Sequence, residues 1–211
     1  NFTANTTVTC LPWDGSKGGV VVINAADSIT LNGNIDASGK GVRGGNDPVT
    51  IPPNYFCSEN QFFYPANPDL ASEKGESIAI ISAAKSFGKG APANGGGGGN
   101  SHNSGGGGGS NAGAGGFGGY QLESSPCNGG PGLDNRGIAG KPLAYSNAAN
   151  KIFMGGGGGA GQSNNPEEFQ SNGGNGAGII IMMGNKLKSN GFKILANGND
   201  AVSCANTGSG C

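Results

Sequence analysis

Short apolar runs set apart by turn residues organise this chain. In residues 18–39 (GGVVVINAADSITLNGNIDASG) the β-branched run at residues 20–23 leads into Asn24-Ala25-Ala26-Asp27. After it, Ile29, Leu31, Ile35 and Ala37 recur in pairs around Asn32-Gly33. The pattern predicts short strands joined by tight turns.

The same grammar returns at residues 176–198 (GAGIIIMMGNKLKSNGFKILANG). Val20, Val21 and Val22 align with Ile179, Ile180 and Ile181, and Asn32-Gly33 with Asn190-Gly191. Ile35 aligns with Ile194, and Ala37-Ser38-Gly39 with Ala196-Asn197-Gly198. Two copies of one supersecondary unit are expected, stacked as rungs or paired in a sheet. Residues 77–82 (SIAIIS) read as a third, weaker copy.

Between the copies lies an insertion at residues 44–75, rich in proline and aromatic residues. It should form a small local core covering the framework; its alternative role is a ligand-contact loop presenting Tyr55, Phe56, Phe62, Phe63 and Tyr64. The polyglycine blocks fall within residues 95–178, and residues 95–119 alone hold two runs of five glycines around Asn100-Ser101-His102-Asn103-Ser104. Glycine at this density ordinarily suggests a flexible linker. Here the blocks alternate with recognisable strands, and glycine has a structural use. A polyproline-II-like helix turns every three residues with its N–H and C=O groups pointing sideways, so neighbouring helices can bond only if side chains do not hold them apart. The expected fold is mainly β with a polyglycine-II helix bundle: short strands flanking packed glycine helices, and very little α-helix. The two five-glycine runs should be adjacent helices joined by a hairpin.

Composition narrows the function. Charged residues make up 12% of the chain and the formal net charge is −1, which argues against nucleic acid as a partner. No apolar run approaches the roughly 20 residues that span a bilayer. The five cysteines lie far apart with no CxxC pair, which favours disulfides in an oxidising compartment over zinc. Cys204 and Cys211 could close a local loop, and Cys57 and Cys127 could staple the insertion. Cys10 would then be unpaired or have an external partner, and the connectivity stays open.

Several strings together resemble a known family: LPWDGSKGGVVVINAADSITLNGNIDASGKGVRGG, KGESIAII, GAPANGGGGGNSHNSGGGGG, IFMGGGGGAGQSNN and GGNGAGIIIM. They resemble a glycine-rich module of very large secreted Bacteroidetes-type proteins, including adhesins linked to gliding and type IX secretion. The resemblance implies one glycine-rich module over residues 1–211, part of a longer extracellular chain whose partners are neighbouring modules and, secondarily, surface glycans. Asp27-Ser28-Ile29 resembles the O-glycosylation site of such bacteria, making Ser28 a candidate glycan site. More distantly, KIFMGGGGGAG and the GGxGxG block after it are similar to the glycine-rich domain of the anaplastic lymphoma and leukocyte kinase receptors.

No catalytic or cofactor-binding constellation emerges. His102 has no acid placed by any motif and reads as a solvated turn residue; Glu167-Glu168 reads as a charged loop. Trp13 is expected to cap a sheet end. Calcium would need Asp and Asn oxygens beside glycine, and no DxDxDG or GGxGxD repeat is present. The expected role is a non-catalytic structural segment of a cell-surface adhesin or extracellular filament. The alternative is a carbohydrate- or receptor-binding adhesin tip, of bacterial or phage tail-fibre type.

Overall fold

The computed structural model describes residues 1–47, 59–121, 134–145, 150–163 and 171–201. Among these the regular secondary structure is nearly all strand, and the one helical element is a three-residue 3-10 turn, Ala83–Lys85. The strands are β1 (Phe2–Ala4), β2 (Val20–Asn24), β3 (Ser28–Leu31), β4 (Ile35–Asp36), β5 (Ile179–Met183), β6 (Lys186–Lys188) and β7 (Ile194–Leu195).

All the strand pairs are parallel, and their register is the repeat itself. Val20, Val21 and Val22 of β2 stand opposite Ile179, Ile180 and Ile181 of β5, and Ile35 of β4 stands opposite Ile194 of β7. The repeat is therefore two stacked rungs of a coil, with β2, β3 and β4 on three successive faces and β5, β6 and β7 below them. Alternation does the sorting: Val21 and Ile23 of β2, and Ile29 and Leu31 of β3, point inward. With Ile35 and Ala37 they form one apolar core, and Leu31 and Ile35 are fully buried. Burying such a side chain stabilises by about 1.5–3 kcal/mol.

A third rung exists, but it is not where the strings suggested. Residues 77–82 form no strand, and Ile80 there is fully exposed. The third copy is the N-terminus. Phe2, Thr3 and Ala4 of β1 pair with Ile29, Thr30 and Leu31, and Val8 pairs with Ile35. The Asn32 turn is shared by all three rungs. Asn190 Nδ2 donates to Asn32 Oδ1 at 3.1 Å, and Asn32 Nδ2 reaches Asn5 Oδ1 at 3.5 Å. At the other end of the stack, β5, β6 and β7 each pair on one side only among the described residues. Met183, Leu187 and Ile194 of that rung are exposed.

Beside the coil, backbone replaces side chains as the packing material. From Gly155 to Gln162 eight consecutive N–H groups donate to other segments at 2.8–3.0 Å. Gly155, Gly158 and Gly161 donate to Ala177, Gly174 and Ser171. Gly156, Gly159 and Gln162 donate to Ser110, Gly107 and Ser104, and Gly157 and Ala160 to Glu76 and Glu73. Every third residue faces the same antiparallel neighbour. The carbonyls of the same stretch accept from two more segments: Gly157 and Ala160 from Gly96 and Gly99, and Gly158 from Gly45. Approach this close leaves no room for a methyl group. A Cβ built on Gly159 would lie 2.0 Å from Gly97 O, and one on Gly157 would lie 1.9 Å from Arg43 O.

The two five-glycine runs are antiparallel neighbours as expected, with Gly107 and Ser110 donating to Gly97 and Asn94. The turn between them is not solvated. Asn100, Ser101, His102, Asn103 and Ser104 are all buried, and burial lowers the His102 pKa. Where glycine ends, side-chain amides finish the lattice because each carries both a donor and an acceptor. Fully buried Asn94 accepts from Ile78 N and reaches Ser110 O and Met154 O with its Nδ2. Asn135 Nδ2 donates to Ser101 O and to Gln121 Oε1, each at 2.8 Å.

Candidate functional site

The proline- and aromatic-rich insertion meets the glycine lattice along one edge, and its aromatic residues divide into two groups there. Tyr64 sits in the local core rather than in the alternative, outward-facing contact loop, and its backbone bonds reciprocally with Phe87. Its hydroxyl donates to Glu59 Oε2 at 2.6 Å and accepts from Gln61 N. Burial, then the Glu59 bond, pushes its pKa up to about 12. With Ala71 and Leu70 it forms the small local core expected of the insertion.

Phe62 and Phe63 turn outward, 58% and 51% exposed. Each has a lysine against its ring: Lys89 Nζ lies 5.2 Å from the Phe62 centroid and Lys85 Nζ 5.2 Å from that of Phe63. Cation–ring contacts of this kind contribute on the order of 0.5–1 kcal/mol at exposed sites. Beside the rings opens a cleft of about 430 Å³, floored by Phe62, Phe63, Ile81, Pro92 and Ile138 and lined also by Lys74, Lys85 and Lys141. Buried Lys74 is held in place by a 2.8 Å bond from its Nζ to Phe62 O. Burial, reinforced by the charge of Lys85, lowers the Lys74 pKa to about 8.

The strip continues past the cleft. Lys89 Nζ also donates to Asn60 Oδ1 and to Asp134 O, and the Asp134 carboxylate takes Arg136 in a two-pronged pair at 2.8 and 2.9 Å. The Arg136 guanidinium lies 3.9 Å from the Tyr120 ring centroid and 5.1 Å from that of Phe117. Both rings are exposed. Compared with family models, curated proteins and solved structures, the chain matches none of them.

The other sequence-predicted residues are scattered. Ser28 opens β3, half-buried, and its Oγ donates to Asn1 Oδ1 at 3.0 Å. Among the described residues Cys10 has no disulfide partner, and it packs against the coil's core. Cys57, Cys127, Cys204 and Cys211, together with Tyr55, Phe56 and Glu167-Glu168, lie outside the described residues. Trp13 N donates to Lys40 O at 3.0 Å beside the coil, and its ring lines a second cleft next to the Arg43–Glu76 ion pair. Among the described residues no group of three or more His, Cys, Asp or Glu is placed to hold a metal.

The lysines were not visible as a group in the sequence. Lys74, Lys85 and Lys141 stand in three separate segments, and only the lattice brings those segments to one edge. The available hint was Phe117 and Tyr120, which interrupt or directly follow glycine blocks where only an edge position can accept a large ring.

Proposed function

We propose that this chain is a non-catalytic structural segment of a cell-surface adhesin or extracellular filament. In this reading the glycine blocks are polyglycine-II helices, a reading supported by the period of three in the donors of residues 155–162. A lattice of that kind is rigid, and it offers a protease few exposed extended strands to bind.

The observation that carries the role is the end of the coil. Three rungs stack in register and share an asparagine turn, and the last rung presents edges of β5, β6 and β7 that are unpaired among the described residues, with exposed apolar side chains. Exposed parallel edges are templates for further strands. A following module of the same grammar would extend the stack, and Asn190 Oδ1 would accept from its turn as Asn32 Oδ1 accepts from Asn190. This agrees with the resemblance to modules of giant type IX-secreted surface proteins. The aromatic strip favours a second reading, an adhesin tip that also binds glycans.

The test is made on the source cells. Antibody to the module should label intact cells, and a photocrosslinker at position 188 on the open rung should link to another segment of the same protein. Labelling only after permeabilisation, or adducts restricted to unrelated soluble proteins, would refute the reading.

A further inference from the structure

The cleft beside Phe62 and Phe63 combines two features that ordinarily serve different ligands. Its floor is apolar and open to solvent, with the exposed Phe62 and Phe63 side chains beside Ile81, Pro92 and Ile138. Its wall carries three ammonium groups, Lys74, Lys85 and Lys141, and among the described residues no carboxylate lines it. In a chain of 12 basic and 13 acidic residues, that is a local excess of positive charge. The acids nearest in the network are already engaged: Glu59 by the Tyr64 hydroxyl, Asp134 by Arg136, and Glu73 by Asn46 N. Among the described residues the cations therefore face the opening without internal partners of opposite charge, and Lys74 is pinned there by Phe62 O.

Each simpler ligand uses half of this arrangement. Inorganic phosphate would meet the lysines and gain nothing from the rings, and an acyl chain would do the reverse. A nucleic-acid strand needs a longer basic track than a chain of net charge −1 supplies. A carboxylated pyranose uses both, laying its C–H face on a phenyl ring while its carboxylate reaches an ammonium. The volume of about 430 Å³ falls in the usual range for small-ligand sites, roughly 300–1,000 Å³. We propose that this cleft binds an acidic saccharide, a uronic-acid-bearing glycan, with Phe62 and Phe63 as the stacking floor and Lys85 and Lys141 as the carboxylate contacts. The strip from Lys89 through Arg136 to Tyr120 would carry further sugar units along the same edge.

The experiment is a calorimetric titration of the whole chain with tetragalacturonate. The comparators are the fully methyl-esterified tetrasaccharide, which keeps the shape and removes the charge, and inorganic phosphate. Lys85 and Lys141 are exposed, so Lys85→Glu and Lys141→Glu leave the fold in place, which their melting curves check. Tetragalacturonate should bind, and esterification, either charge reversal, or Phe62→Ala should each weaken binding at least tenfold. Phosphate should not compete at equal concentration. Four outcomes overturn the proposal: no binding of the acidic tetrasaccharide, equal binding of the ester, equal binding of phosphate, or indifference to both lysine variants. None of them touches cell-surface labelling, so this site and the structural role fail independently.

Discussion

Gly158 and Gly159 are adjacent in one run of five glycines, and the lattice assigns alanine at these two positions opposite fates. On Gly159 a Cβ would sit 2.0 Å from Gly97 O, where ordinary contact begins near 3.4 Å. Relieving this requires residues 155–161 and 95–99 to separate by roughly 1.4 Å, because the obstacle is backbone and has no rotamer to change. The bonds from Gly96 N to Gly157 O and from Gly99 N to Ala160 O, now 2.9 and 2.8 Å, would stretch beyond any useful length. Each lost bond costs about 1 kcal/mol net, and each buried group left unsatisfied about 1–3 kcal/mol. Alanine's smaller unfolded-state entropy returns only about 0.4–1 kcal/mol. Gly159→Ala should therefore lose roughly 3–5 kcal/mol, a large share of the 5–15 kcal/mol typical of a domain. On Gly158 the nearest atom is Gly174 N at 3.3 Å, and on exposed Gly116 nothing lies within 4 Å. Gly158→Ala should cost less than about 1 kcal/mol, and Gly116→Ala should be neutral or slightly stabilising. Urea unfolding followed by the fluorescence of Trp13 gives the three midpoints. Equal midpoints for the Gly158 and Gly159 variants would refute the backbone lattice and return the run to the status of a flexible linker.

Asn94→Asp removes the Nδ2 that reaches Ser110 O and Met154 O and buries a carboxylate against them. It should lower stability by about 2–4 kcal/mol in the same assay, and no loss would mean the amide is not a bracket. Ile35→Ala should cost about 2–5 kcal/mol, whereas Ile80→Ala should stay within about 0.5 kcal/mol; the reverse order would restore residues 77–82 as the third rung. Lys74 has a folded pKa of about 8 against 10.5 unfolded, so between those values the unfolded chain holds more protons and stability climbs with pH, by at most roughly 3 kcal/mol. Tyr64, raised from 10.0 to about 12, contributes stability that is complete below pH 10 and lost as pH climbs through 12. Melts at constant ionic strength should therefore peak near pH 10. Lys74→Met should remove most of the rise, leaving the part that burial of Lys89 supplies, without changing the fall, and a wild-type curve flat from pH 8 to 10 would contradict the burial of Lys74.

Strand register was legible because the apolar repeat survives in both copies, so aligning the strings also aligned the strands. The rung at β1 escaped notice although Phe2, Ala4, Val8 and Cys10 have the spacing of Ile29, Leu31, Ile35 and Ala37, because Thr6-Thr7 stands where the other copies carry the glycine that marks the turn. The string at residues 77–82 misled for the opposite reason, since it has strand composition but no neighbour to pair with. Burial of the Asn100–Ser104 turn was invisible, because polar residues read as solvated until the segments carrying Gln121, Asn135 and Gln162 are known to surround them.

By itself, the sequence determined what an ordered glycine run requires: backbones must come close, because its order can come only from neighbours that satisfy N–H and C=O groups. Which neighbours those are was decided by tertiary structure alone. Residues 155–162 bond to five segments drawn from residues 45 to 177, and a glycine carries no side chain to specify any of them. Their choice is imposed by the coil, the buried amides and the small Tyr64–Phe87 core at the lattice's rim. The same folding carries three unrelated lysines to the edge where two phenylalanines stand exposed.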